Sequence, residues 1–373
     1  MNEGDDRMKK INVGILFGGK STEHEVSLQS AQNVIDALDK DRYNITMIGI
    51  DKSGGWYLND KAHFLLNSSD PKRIALNITN KNIAFMPGAE SKQILCVSDE
   101  NVCGNIDVVF PILHGPLGED GTVQGLLKLA NLPFIGAGVL GSAIGMDKDV
   151  TKRLLRDAGM PIAKFIAVYT WQREKVNFID ASRELGLPLF IKPANAGSSV
   201  GVSKVNNDMD FMNALEKAFE FDNKVLIEEF VQGREIECAV LGNEAPIASG
   251  IGEIIAQKDF YSYEAKYIDE NGAVIEIPAH IPDELVTIIQ EMAIKTFQIL
   301  GCEGMARVDF FLTQDNKLVV NEINTIPGFT NISMYPKLWE LRGISYSQLI
   351  DRLIQFALDR HARDKRLKTS IDE

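Results

Sequence analysis

The chain of 373 residues is short of several things that would narrow its role at once. Its four cysteines (Cys96, Cys103, Cys238 and Cys302) show neither CxxC spacing nor a companion histidine, which argues against a zinc site and predicts buried, reduced thiols of a cytoplasmic protein. No apolar run approaches the ~18 residues of a membrane span, so no membrane partner is expected. The opening MNEGDDRMKKINVGILFGG places Lys9 and Lys10 before an apolar stretch but lacks a small-residue cleavage site, and it reads as a first buried strand. Positive charge is also in deficit. Lys+Arg 39 against Asp+Glu 52 leaves a net charge of -13, which speaks against nucleic acid as the main partner. A small anionic ligand stays open, because a local cluster of cations can hold one against the global field.

What is present is an ordinary globular composition, 45% hydrophobic, over a length that predicts two or three domains at about 100–200 residues each. Ile11–Phe17 is a continuous apolar run, as for a strand covered on both faces. Thr22 to Glu25 has capping-box spacing, and Leu28, Ala31, Ile35 and Leu38 follow at helical intervals. With Ile45–Ile50 this predicts a right-handed βαβ unit. Residues 51–104 read as irregular elaboration. Buried strands are expected at Ile106–Leu113 and Leu132–Ile135. After Met146 come a helix over 149–158, strands at Phe165–Tyr169, Leu189–Lys192, Val200–Val205 and Val225–Glu229, and helices over 179–186 and 208–220. A polar, tyrosine-rich loop at 257–272 precedes an amphipathic helix between Pro282 and Gly301.

Two segments are rich in glycine. Gly14 to Ser21 matches GxxxxGK[ST] literally, but Ile15, Leu16 and Phe17 belong in a strand, leaving only Gly18–Ser21 for a turn. Lys20 as a phosphate-loop lysine is therefore the weaker reading, and a tight βα turn at a helix N-terminus the stronger. In Lys192–Gly201 a lysine ends a buried strand and a loop of small residues follows. Such a loop lets backbone N–H groups approach phosphate, although a plain glycine-containing hairpin fits equally well. His114 follows a buried strand, where α/β sheets bind ligands.

The segment Met305–Asn324 is the most informative. Alternation places Ala306, Val308, Phe310 and Leu312 on one face and Arg307, Asp309 and Phe311 on the other. If Asp315-Asn316 form a two-residue turn, Asp309 faces Glu322 and Arg307 faces Asn324 on one face. Two opposed carboxylates repel unless something positive lies between them, and with an amide oxygen they suit Mg²⁺. Neutralisation by Arg307 alone, or a different loop that shifts the pairing, is the alternative.

Taken together, FGGKSTEHEVS (17–27), HGPLGEDGTVQG (114–125), MDKDVTKRLL (146–155), KPANAGSSVGVSKV (192–205), YEAKY (263–267), MARVDFFL (305–312) and NEINTIPGFTNISMYP (321–336) closely resemble the D-alanine–D-alanine ligases of the ATP-grasp superfamily, in their longer form. The resemblance spans nearly the whole chain. It implies an α/β (α+β) three-domain ATP-grasp architecture with a Rossmann-like N-terminal parallel-sheet domain, divided at 1–145, 146–236 and 237–373. It further implies that ATP joins two D-alanines through an acyl phosphate for peptidoglycan synthesis. By the same resemblance, Lys148, Lys192 and Lys266 contact phosphates, Glu228 and Val231 meet adenine, and Glu235 meets ribose. Asp309, Glu322 and Asn324 match ligands of Mg²⁺ or Mn²⁺, with two ions expected per site. Glu23 resembles the group that binds the first ammonium, joined by Ser198 and Tyr267. Arg307 and the Gly328 N–H match an oxyanion site, Ser333 the partner of the second carboxylate, and His114 lies near the second substrate. A cytoplasmic homodimer is implied. The intact YEAKY favours a second D-alanine over D-lactate or D-serine. A non-catalytic nucleotide-binding protein is the reading from another class.

Overall fold

In the computed structural model, residues 9–60, 64–68, 70, 73–79, 81–89, 93–97, 101–256 and 273–371 are described. Lys266 and Tyr267, in the tyrosine-rich segment, lie outside them.

The chain begins with β1 (Ile11–Gly18), α1 (His24–Ala37) and β2 (Tyr43–Ile50), and β1 pairs in parallel with β2, as the apolar runs predict. β1 continues through Gly18, so no phosphate loop opens at Gly14, and Lys20 is exposed. The expected capping box is not formed. Glu23 occupies the N-cap without a side-chain cap bond, and Glu25 pairs instead with Lys52 at 2.6 Å.

The described residues of 51–104 form more strands than their composition suggests. β3 (Trp56–Asn59) adds an antiparallel edge to β2. β4 (Leu65–Leu66) pairs with β5 (Ala75–Leu76), and β6 (Ile83–Phe85), β7 (Ile94–Cys96) and β8 (Asn101–Gly104) make a small meander. At two to four residues, these strands are too short to show a period. Cys96 corrects the thiol expectation: it is disulfide-bonded, whereas Cys238 and Cys302 are free and buried. Cys96 ends a strand whose neighbour folds back beside it, a proximity that linear spacing does not reveal. β9 (Val108–Ile112) then joins β1 in parallel, giving the order β3-β2-β1-β9. Of the strand expected at Leu132–Ile135, only a single bridge, Val109 to Phe134, is present.

After α2 (Thr122–Leu129) and α3 (Val139–Met146), the Asp147 carboxylate accepts the N–H groups of Asp149 and Val150 and starts α4 (Lys148–Asp157). The next sheet comprises β10 (Phe165–Tyr169), β11 (Leu189–Pro193), β12 (Ser203–Val205) and β13 (Lys224–Glu229), in the order β10-β13-β11-β12. α5 (Phe178–Leu185) and α6 (Asp208–Phe219) cover one face. β12 is shorter than the expected Val200–Val205, because Ser198, Ser199 and Gly201 all take positive φ and the chain is still turning there.

The last sheet is β14 (Gly233–Gly242), β15 (Ile247–Ala256), β16 (Ala273–Glu276), β17 (Gly304–Thr313) and β18 (Leu318–Asn324), in the order β16-β15-β14-β17-β18. α7 (Asp283–Ile299) packs on it, and α8 (Met334–Glu340) and α9 (Tyr346–Asp364) close the chain. Packing sorts these pieces unevenly. One core joins Val13, Phe17 and Phe110 of the first sheet to Met305, Trp339 and Leu353 near the C-terminus. The core under β10–β13 runs only from Val168 to Ile227 and closes on itself. Leu155 of α4 and nearby Met160 pack with the last sheet instead.

Candidate functional site

β17 and β18 place three oxygen donors on one face. Arg307 pairs with Asn324 and Asp309 with Glu322, the register expected from sequence, but two deviations cancel to produce it. Near the turn the pairing is Phe310 to Val320, one residue off what a two-residue Asp315-Asn316 turn gives, because Gln314–Asn316 form a three-residue loop with Asn316 at φ 59°. A bulge between Asp309 and Phe310 absorbs the extra residue and restores the register. The donors are held by cations and an amide. The Arg307 fork grips Asp309 at 2.7 and 2.8 Å, Asn324 Nδ2 donates to Asp309 Oδ2 at 3.0 Å, and Lys148 Nζ is 3.5 Å from Glu322 Oε2. The hard-oxygen set fits a divalent cation. Among the described residues, no cluster of three His, Cys, Asp or Glu side chains forms, so oxygens from outside this set would complete the shell of such an ion.

Facing this hairpin, Lys192 and Glu228 are the next-to-last residues of β11 and β13. Glu228 is buried between Lys192 and Lys152, each with Nζ 3.0 Å from one carboxylate oxygen. Burial alone would raise the Glu228 carboxyl, but the two ammonium groups outweigh it and hold it below its usual range. Burial pushes the Lys152 ammonium down against the pull of Glu228. The cleft between the two sheets encloses about 190 Å³ and is lined by Lys148, Lys192, Ser198, Glu228, Val231, Glu235 and Glu322, together with Phe190, Phe230 and Phe311. Its lining combines cations, carboxylates and aromatic rings, a mixture that suits a nucleotide. Arg307, Asp309 and Glu322 line a smaller recess that shares Glu235 and Phe311 with it.

Glu23 is the joint between this cleft and the first sheet. It is 6% exposed, and the Ser198 hydroxyl donates to its Oε1. A Cβ on Gly115 or on Gly197 would lie 2.9 Å from Glu23 Oε2, so a side chain at either position would push the carboxylate out of place. Lys148 Nζ donates to Ala196 O at 2.7 Å and holds the same glycine loop from α4. Next to Gly328, a Cβ would lie 2.8 Å from Ser333 Oγ. Ser333 Oγ accepts the Thr330 N–H at 2.9 Å.

His114 is buried, and both ring nitrogens face protein atoms. Glu119 accepts N–H groups from Gly115 and Ile326 at 2.7 and 3.1 Å. Withdrawal from water, reinforced by the Glu23 carboxylate, raises its carboxyl. Sequence reasoning did not single out Glu119, Lys152, Glu237 or Ser30. Lys152 stands four residues after Lys148 on one helix face, and Glu237 stands two after Glu235 on one strand face, so both carried a periodic signal. Glu237 Oε2 lies 2.9 Å from Arg307 Nε.

Two family models match, the D-ala D-ala ligase N-terminus over residues 12–137 and the D-ala D-ala ligase C-terminus over residues 154–355. The chain is 58% identical to a D-alanine–D-alanine ligase of Oceanobacillus iheyensis, covering 97% of this chain and 99% of that one. It is 55% identical to D-alanine–D-alanine ligase A of Escherichia coli K12, covering 98% and 100%. Among solved structures, the D-alanine-D-alanine ligase of Coxiella burnetii superposes with a TM-score of 0.80 at 39% identity over 96% of each chain. The VanG D-Ala:D-Ser ligase of Enterococcus faecalis gives 0.83 at 38%, covering 94% of this chain and 100% of that one. With both family models matched in order along the chain and relatives 55–58% identical over nearly its whole length, the protein belongs to the D-alanine–D-alanine ligase family.

Proposed function

We propose that the protein joins two D-alanines at the expense of ATP, releasing ADP and phosphate and supplying the dipeptide for peptidoglycan synthesis. The observation that carries this reading is the convergence on one cleft of Lys148, Lys192, Glu228 and Glu235 with the Asp309, Glu322 and Asn324 face, bonded through Ser198 to Glu23. The relatives at 55–58% identity over nearly the full length bear the dipeptide ligase name, whereas the D-Ala:D-Ser neighbour stands at 38%.

The aromatic walls at Phe190, Phe230 and Phe311 would hold adenine, with Glu228 and the Val231 backbone at its edge and Glu235 on the ribose. Lys148 and Lys192 exchange their carboxylate partners for phosphate oxygens, joined by Lys266. Asp309, Glu322 and Asn324 would hold Mg²⁺ or Mn²⁺, which supplies neutralisation of phosphate charge when bound. Glu23 accepts the ammonium of the first D-alanine, and Ser198 and Tyr267 orient it. The carboxylate of that D-alanine attacks the γ-phosphate, and the amine of the second displaces phosphate from the acyl phosphate. Arg307 and the Gly328 N–H stabilise the oxyanion that develops. With its oxygen accepting from Thr330, the Ser333 hydroxyl can donate to the second carboxylate. Residues 1–145, 146–236 and 237–373 serve as the first-substrate, central and metal-bearing units, in a homodimer. Incubation with D-alanine, ATP and Mg²⁺ should give D-alanyl-D-alanine and one phosphate per dipeptide. Phosphate release only on addition of D-serine or D-lactate would overturn the reading.

A further inference from the structure

The segment Ile326–Phe329 is held from both ends by residues of the N-terminal region more than 200 positions away. At its start, the Ile326 N–H donates to Glu119 Oε1 at 3.1 Å, and His114 Nδ1 lies 3.1 Å from Ile326 O. At its end, the Phe329 N–H donates to Ser30 Oγ at 3.3 Å, and Phe329 O accepts from Asn33 Nδ2 at 3.2 Å and from the Tyr346 hydroxyl at 2.6 Å. The two ends are themselves connected, since Ser30 Oγ lies 3.4 Å from His114 Nε2. One assignment of protons satisfies the whole chain. His114 donates from Nδ1 to Ile326 O, Ser30 donates to Nε2, and Phe329 donates to Ser30. Burial favours the neutral imidazole that this assignment requires. Between the fixed ends lie Pro327, which has no N–H, and Gly328, whose N–H finds no acceptor among the described residues.

We propose that Ser30, His114 and Glu119 are positioning residues that clamp the Ile326–Phe329 backbone and thereby hold the Gly328 N–H where the oxyanion develops. His114 thus acts through Nδ1 on the protein backbone rather than as a ligand of the second substrate. This rests on the ligase reading above, in which Gly328 serves the oxyanion.

The two ring nitrogens can be separated by amides of different length. Asparagine places its NH₂ near the position of Nδ1, and glutamine near that of Nε2. His114→Asn should keep kcat for D-alanine ligation within about threefold of the parent, while His114→Gln should lose about 100-fold, with the KM for ATP unchanged in both. The reverse order, or equal losses, would overturn the clamp. Ser30→Ala, which removes one hydroxyl, should lower kcat about tenfold without moving the KM for ATP, and an unchanged kcat would equally overturn it. Amide hydrogen exchange reads the clamp without turnover. Glu119→Ala should speed exchange at Ile326 by tenfold or more, and unchanged protection would refute the proposal. If the parent made no dipeptide from D-alanine, the ligase reading would fail while the exchange experiment still judged the clamp.

Discussion

The β10–β13 sheet and the sheets on either side of it in sequence are built on different terms. The first and last sheets share one apolar core, in which Val13 and Phe110 belong to the same cluster as Trp339 and Leu353. The β10–β13 sheet keeps its own core, and the bonds described across its boundary are polar: Lys152 to Glu228, Lys148 to Ala196, Lys224 to Asp147, and Ser198 to Glu23. A shared apolar core fixes two sheets relative to each other, because separating them exposes surface at about 25 cal/mol per Å². A polar seam can exchange one partner for another at small net cost. The proposed oxyanion groups, Arg307 and Gly328, stand on the fixed side, and the nucleotide groups Lys192 and Glu228 stand on the other.

The comparison breaks most sharply in the two cores. Leu353→Ala and Leu215→Ala each remove a fully buried side chain and should cost about 2–5 kcal/mol. Leu353→Ala should lower protection against hydrogen exchange in β1 and β17 together. Leu215→Ala should lower it only over residues 165–229. Loss of protection throughout the chain in both variants would show a single cooperative unit.

At the seam, the next largest effect is expected from the lysines. Lys192→Ala should raise the KM for ATP by about 10–100-fold, since a charge-assisted contact to phosphate contributes about 1.5–3 kcal/mol. Lys20→Ala, on an exposed turn, should leave the KM for ATP within about twofold. Equal losses in both would revive the phosphate-loop reading. Lys152→Met leaves Glu228 with Lys192 as its remaining cation. It should raise the KM for ATP several-fold by holding Lys192 back, with a smaller change in kcat, and steady-state kinetics in both substrates would show the division.

How much of this was legible follows the same line. Local periodicity carried β1, β2 and β9 of the first sheet and the strands of the β10–β13 sheet, though not β3 or β16, and alternation in Ala306–Leu312 assigned its two faces correctly. The Asp309 to Glu322 pairing came out right although both the loop length and the uniform register were wrong, because the bulge offset the loop. That success owed something to chance. What was not legible depends on distant meetings: Lys152 reaches Glu228 on another element, and Glu119 reaches Ile326 across 207 positions. No spacing rule spans such gaps. The two- to four-residue strands of residues 51–104 fail for the opposite reason, being shorter than any period that could announce them.

The smallest expected effect sharpens the fixed side of the comparison. Glu119 is partly buried and carries a raised pKa, with Glu23 opposing its ionisation and the Lys148 ammonium and two backbone N–H groups favouring it. Buried His114 is the other titratable group of the clamp, and its own pKa is lowered. Between the unfolded and folded pKa values of Glu119, the unfolded chain binds fewer protons than the folded one. This group's contribution to stability is therefore greatest at low pH, falls as pH rises through that window, and is level above it. Glu119→Gln removes the titration along with one backbone acceptor, and the lost acceptor is a cost that does not vary with pH. Relative to the parent, the apparent Tm of the variant should rise by about 2 °C between pH 5 and pH 9, as scanning calorimetry would measure. A difference that is flat in pH would mean that Glu119 is ionised throughout and clamps Ile326 as a full carboxylate.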